Sequence, residues 1–257
     1  MKAPGEYAKI MLPELTFPYL IPGQEVLLDD GKIHLKIVEK AENVTENGGE
    51  NTQEKRYFAK VLWGGLLKSR KSAALPGAKI YPPTLTNSDL ANIKIAKEMG
   101  VTGVMQPFVR DHSDLECVKE ALREAGAEDI RLFAKIENMD GVRKLEKLLP
   151  AADEIVIARG DLGNAVHLWD LPGVQRQISE KCRAAGKPFM VVTQMLASME
   201  RSPVPTRAEV NDIFHAVMDG AASIMVTGET AVGDYPVEVI RYMVNTVRSA
   251  EKKKIDK

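Results

Sequence analysis

Cysteine is nearly absent: Cys117 and Cys182 are the only two, and their separation fits no metal or redox motif. A disulfide framework and a thiolate metal site are therefore excluded, and two free thiols in a reducing cytoplasm are expected. No apolar run approaches the roughly 20 residues that a membrane-spanning helix needs, and no signal-like segment opens the chain. Charge of one sign is missing as well. With 35 basic against 36 acidic residues the net charge is −1, so no global field attracts nucleic acid or an anionic membrane. Neither is expected as a partner.

What remains is ordinary for a soluble globular protein. The 257 residues are 44% apolar and 28% charged, with room for one large domain or two modest ones. Two textures meet near Leu75–Pro76. Before that point, short alternating runs (Glu25–Leu28, Lys32–Val38, Tyr57–Leu62) are separated by turn signals at Asp30–Gly31 and Asn47–Gly48–Gly49. Such alternation around Asp-Gly predicts hairpins, and residues 1–75 read as a small antiparallel β domain.

After that point, in residues 76–257, β-branched apolar runs alternate with helical spacing. The runs are Gly100–Met105, Ile130–Ile136, Glu154–Ala158, Pro188–Thr193 and Ala222–Val226. Helical spacing covers Asp89–Met99, Asp114–Ala125, Gly141–Leu149, Val174–Ala185, Arg207–Met218 and Pro236–Lys252. Asn87, Ser113 and Thr206 are the expected N-caps, the last with Glu209 three residues on. Gly100, Gly126, Gly186 and Gly220 stand where helices should stop. The spacing predicts about five parallel strands with crossover helices, as in an open sheet or a (β/α) barrel. No glycine-rich dinucleotide fingerprint follows the first strand and no Walker-type loop occurs, which favours the barrel.

Charge and hydroxyl groups collect where these strands end: Lys135-Ile136-Glu137-Asn138, Arg159-Gly160-Asp161, Thr193-Gln194 and Thr227-Gly228-Glu229-Thr230. Active sites of parallel barrels are built on that rim. Glu137 and Asp161 suit one hard divalent cation such as magnesium, which commonly takes one or two protein carboxylates. Lys135 lies two residues before Glu137, so both side chains share one face of an extended strand, where an ammonium would stabilise an enolate or a moving phosphoryl group. Gly160 allows the amides of Gly160 and Asp161 to approach an anion, and Thr193 adds a hydroxyl donor.

The blocks "KIEN", "ARGDLG", "AGKPFMVVTQMLASMERSPVPTRAEVND" and "TGETAVGDYPVEVIRYM" closely resemble successive blocks of the pyruvate kinase family. "IPGQEVLLDDGKIHLKIVE" and "WGGLLKSRKSAALPG" resemble the second half of its mobile lid domain and the return to the barrel. The resemblance runs from about Ile21 to Glu251. It implies an α/β fold with a partial TIM barrel of about five parallel strands behind the small β domain. It also implies a glycolytic phosphotransferase making pyruvate and ATP from phosphoenolpyruvate and ADP through a magnesium-bound enolate. Lys135 would stabilise the transition state, and Glu137 with Asp161 would hold magnesium, or manganese in its place. Gly160, Asp161 and Thr193 would hold the substrate carboxylate, and Lys71 would approach the nucleotide phosphates.

The departures from the family pattern are also specific. The family's first barrel strands, with an Asn-x-Ser-His-Gly block for potassium and nucleotide, have no counterpart, so the potassium site is expected to be lost. Of the third strand's motif only Lys2, Pro4 and Glu6 remain. Pro107 replaces a serine, Asn164-Ala165-Val166-His167 replaces Val-Glu-Ile-Pro, Val232 replaces a lysine, and the C-terminal domain is missing. Five strands cannot close an eight-stranded barrel. A companion chain, self-association or a re-closed smaller structure would cover the edges. A magnesium-dependent lyase or aldolase using the enolate half without nucleotide, and an inactive fragment or subunit, are the alternative readings. His34, His112 and His215 show no ligand spacing, and His167 and Trp169 read as surface. Asp29–Gly31 reads as a hairpin turn, and Lys252–Lys254 as a solvated helix end.

Overall fold

A computed structural model describes residues 8–29, 31–41, 55–78 and 80–255. Lys2, Pro4, Glu6, Asp30 and the turn signal at Asn47–Gly49 lie outside the described residues. The chain divides into two compact units, Met1–Pro82 and Pro83–Lys257, so the division falls beyond the change of texture at Leu75–Pro76. Leu75 explains why: it is buried with Leu20, Val26 and Ile33, and Ala78 and Ile80 pack on the same cluster. Gln24 Nε2 also donates to the Pro76 carbonyl at 2.9 Å.

The first unit is an antiparallel sheet of β1 (Glu25–Leu28), β2 (Ile33–Lys40), β3 (Tyr57–Trp63) and β4 (Ala73–Ala74), in the order β3-β2-β1-β4. β1 and β2 are joined by a tight turn in which Asp29 and Gly31 take positive φ. In β2, Ile33, His34 and Leu35 are all buried, against the strict alternation of a strand. A register shift between His34 and Leu35 accounts for this, because an irregular step re-aims the next side chain.

The second unit carries five parallel strands in sequential order: β5 (Gly103–Gln106), β6 (Arg131–Ile136), β7 (Glu154–Ala158), β8 (Phe189–Val192) and β9 (Ser223–Met225). The helices are α1 (Asn87–Ala96), α2 (His112–Glu124), α3 (Met139–Arg143), α4 (Leu145–Leu148), α5 (Arg159–Ala165), α6 (Leu171–Ala184), α7 (Arg207–Met218), α8 (Gly228–Ala231) and α9 (Pro236–Ile255). Period-two burial separates two faces. Ile155, Ile157 and Val191 join the helices in the main core, while Val156, Ala158, Met190 and Val192 pack together on the other face. An unbroken strand order with the helices packed on one face is the singly wound arrangement of a barrel wall, not of a doubly wound sheet. β7 and β8 are buried throughout, as central parallel strands are.

Local signals explain most boundaries. Thr206 and Glu209 form a reciprocal capping box, and Gly100, Gly126, Gly186 and Gly220 all take the left-handed conformation. Two caps differ from the expected residues. α1 is capped by Thr86, whose hydroxyl takes the Asp89 amide, not by Asn87, and α2 by Asp111, not Ser113. The expected helix Gly141–Leu149 is two short helices that meet at Lys144.

Candidate functional site

The site lies at the carboxyl ends of the parallel strands. Lys135 is the penultimate residue of β6 and Glu137 the first after it. Glu137 is 3% exposed. Its Oε1 lies 2.8 Å from Lys135 Nζ, and its Oε2 accepts the Phe108 amide at 2.7 Å. Both carboxylate oxygens of this buried side chain therefore have a polar partner, as burial of such a group requires. Asn138 then reaches back, donating to the Val109 carbonyl at 3.1 Å and accepting the Gly141 amide at 2.9 Å. Gly141 has no substitute here, since a Cβ would stand 2.6 Å from the Val109 carbonyl oxygen. The "KIEN" block thus ties the β5 loop to the end of β6.

Helix α5 begins directly after β7, at Arg159, which places Gly160 and Asp161 in its first turn. Thr193 follows β8, off the strand, with φ +83°, and Gln194 follows with φ +54°. Phe108, after β5, also has a positive φ of 51°. For a β-branched residue such as Thr193 the left-handed region is strained, and strain of this kind persists only where neighbours hold it. The holding groups are visible. Arg159 donates to the Thr193 carbonyl through Nη2 at 2.6 Å and Nε at 3.2 Å, and its Nη1 binds Asp212 Oδ2 at 2.6 Å. Across the gap, the Thr193 side chain packs on Gly160, where a Cβ would meet Thr193 Cγ2 at 3.2 Å and Oγ1 at 3.6 Å.

The structure therefore brings Lys135 to Glu137 and Gly160 to Thr193, with Asp161 beside Gly160 on the same rim. Lys71 belongs to the first unit, where its Nζ pairs with Asp29 Oδ1 at 2.9 Å. Among the described residues no three His, Cys, Asp or Glu side chains converge as a metal cluster. The donor chemistry offered by Glu137 and Asp161 is a pair of hard carboxylate oxygens, which fits magnesium.

Three contributors were not singled out by sequence reasoning. Arg159 sits inside "ARGDLG", but its partners Thr193 and Asp212 are 34 and 53 residues away. Phe108 acts through its backbone amide, which no side-chain pattern announces. Asp114 anchors the β5 loop by accepting from Arg110 and from the Thr84 hydroxyl. Burial pushes the Asp114 carboxyl up, but the Arg110 and Thr84 hydrogen bonds outweigh it and lower its pKa to about 2.

The family described as "Pyruvate kinase, barrel domain" matches residues 6–240. Pyruvate kinase of Geobacillus stearothermophilus is 40% identical over 233 residues, 89% of this chain and 38% of the relative. The Bacillus licheniformis pyruvate kinase is 38% identical over 229 residues, covering 89% and 37%. That of Chlamydia trachomatis serovar D is 34% identical over 242 residues, covering 94% and 47%. The chain thus spans between about a third and a half of the length of these relatives.

Proposed function

The chain belongs to the pyruvate kinase family, and we propose that its rim site performs the enolate half of phosphoryl transfer from phosphoenolpyruvate to ADP. The observation that carries this reading is the buried Glu137 carboxylate paired with Lys135 at 2.8 Å. An isolated surface pair would be of little consequence, but a buried carboxylate held against a partly buried ammonium at a barrel rim forms a preorganised field. Glu137 and Asp161 would hold magnesium, or manganese in its place, which would supply positive charge against the enolate oxygen.

Lys135 would stabilise charge on the transferring group as a compact ammonium. The amides of Gly160 and Asp161 would receive the substrate carboxylate, with the Thr193 hydroxyl as a further donor. The close contact between Gly160 and Thr193 supports that grouping, since it brings a backbone free of Cβ and a hydroxyl to one place. Lys71 would serve the nucleotide phosphates from the first unit, on the family resemblance alone.

Formation of ATP from phosphoenolpyruvate and ADP with magnesium tests this directly. ATP production abolished by Glu137→Gln supports a kinase, and turnover of a pyruvate-derived substrate without nucleotide supports the lyase or aldolase alternative. Among the described residues β5 and β9 pair on one side only, so the sheet has two open edges. We propose that a second copy or a companion chain covers them, and size measurement in solution distinguishes these from a stable monomer.

A further inference from the structure

We infer that Glu229 is a positioning residue that holds the strained 193–196 segment so that Thr193 faces the site; this rests on the reading of Thr193 as a substrate donor. Glu229 is 2% exposed and lies on the short helix α8, after β9. Its Oε2 accepts the Thr227 amide at 2.8 Å, a local contact two residues away. Its Oε1 reaches across 33 residues to the Leu196 amide at 3.2 Å. That second bond joins the β9 loop to the β8 loop, three positions after Thr193.

The setting makes Glu229 a rigid anchor. The amides of Ala231 and Val232 bond back to Thr227 and Gly228, and the Asp234 amide donates to the Glu200 carbonyl at 2.9 Å. Gly233 completes the turn, because a Cβ there would meet the Glu229 carbonyl oxygen. On the other loop, Met195 and Leu196 are fully buried. Thr193 and Gln194, the two left-handed residues, are therefore held from both sides: by Arg159 at the Thr193 carbonyl and by Glu229 at the Leu196 amide. Only a carboxylate offers an acceptor oxygen to each amide. Glutamine would turn an NH2 donor toward one of them and leave that buried amide without an acceptor.

Local capping alone predicts a different outcome from positioning, and a double-mutant cycle separates them. The full chain, with magnesium, is titrated with oxalate, a planar dianion shaped like the enolate. Glu229→Gln is expected to weaken oxalate about tenfold in the native background and less than about twofold beside Thr193→Ala. Additive losses would overturn the inference. Amide exchange in the same proteins reads the segment without any ligand. Faster exchange confined to Leu196 and Thr227 supports the inference, and unchanged exchange there overturns it. If the native chain binds no oxalate, the proposed function fails while amide exchange still decides the role of Glu229. Should Glu229→Gln unfold the chain, Glu229→Asp keeps the charge but not the reach and carries the same measurements.

Discussion

Thr193 packs against Gly160 so closely that a Cβ on Gly160 would stand 3.2 Å from Thr193 Cγ2. The first turn of α5 and the loop after the adjacent strand β8 meet there, through a glycine and a β-branched residue held at positive φ. Neither residue can change size or backbone shape without moving the other.

Gly160→Ala should therefore act on binding more than on folding. Alanine suits the first turn of α5, but Thr193 is pinned by Arg159 and cannot yield freely. The expected result is about a tenfold loss in magnesium–oxalate affinity by calorimetry, with urea stability changed by less than about 1 kcal/mol. Unchanged affinity would separate Gly160 from the binding surface.

Arg159→Lys keeps the charge but loses the planar fork that serves Thr193 and Asp212 together. A cost of about 1 kcal/mol in urea unfolding is expected, because the half-buried Thr193 carbonyl and Asp212 carboxylate lose partners at once. A lysine variant as stable as the native chain would show that the clamp is dispensable.

The Asp114 carboxyl, lowered from 3.8 to about 2, links stability to acid pH. A depressed carboxyl contributes stability that is fully present above its unfolded value and is lost as pH falls through the folded value. Asp114→Asn should cost about 2 kcal/mol at pH 7, and the gap to the native chain should close between about pH 4 and pH 2. Urea midpoints across that range check the slope; a gap independent of pH would assign the cost to packing alone.

Cys182 is buried, and burial pushes its thiol up to about 12, whereas Cys117 is exposed on α2. A thiol reagent at pH 8 should modify one cysteine quickly in the folded chain and the second only in denaturant. Rapid modification of both would contradict the core around α6.

The strands and the barrel order were legible because they depend on short-range patterns: the apolar run Glu154–Ala158 and the glycines at 100, 126, 186 and 220, where only glycine takes the left-handed turn without strain. The cap of α1 was less legible, since Thr86, Asn87, Ser88 and Asp89 all carry capping side chains and only geometry selects Thr86. Thr193 read as the last residue of a strand, yet it turns left-handed because Arg159 and Glu229 hold its loop from distant positions. Such long-range polar contacts leave no periodic trace in sequence. The place of Lys135 and Glu137 at the end of β6, and of Asp161 just after β7, was legible from the strand pattern alone.

The role proposed for this rim is to stabilise a pyruvate enolate. Magnesium-dependent exchange of pyruvate methyl protons in deuterated water, without nucleotide, tests it most directly by proton NMR. Exchange is expected in the native chain, dependent on magnesium and reduced at least about a hundredfold by Glu137→Gln. A folded native chain that leaves the methyl protons in place, or a Glu137→Gln variant that exchanges them equally well, would contradict it.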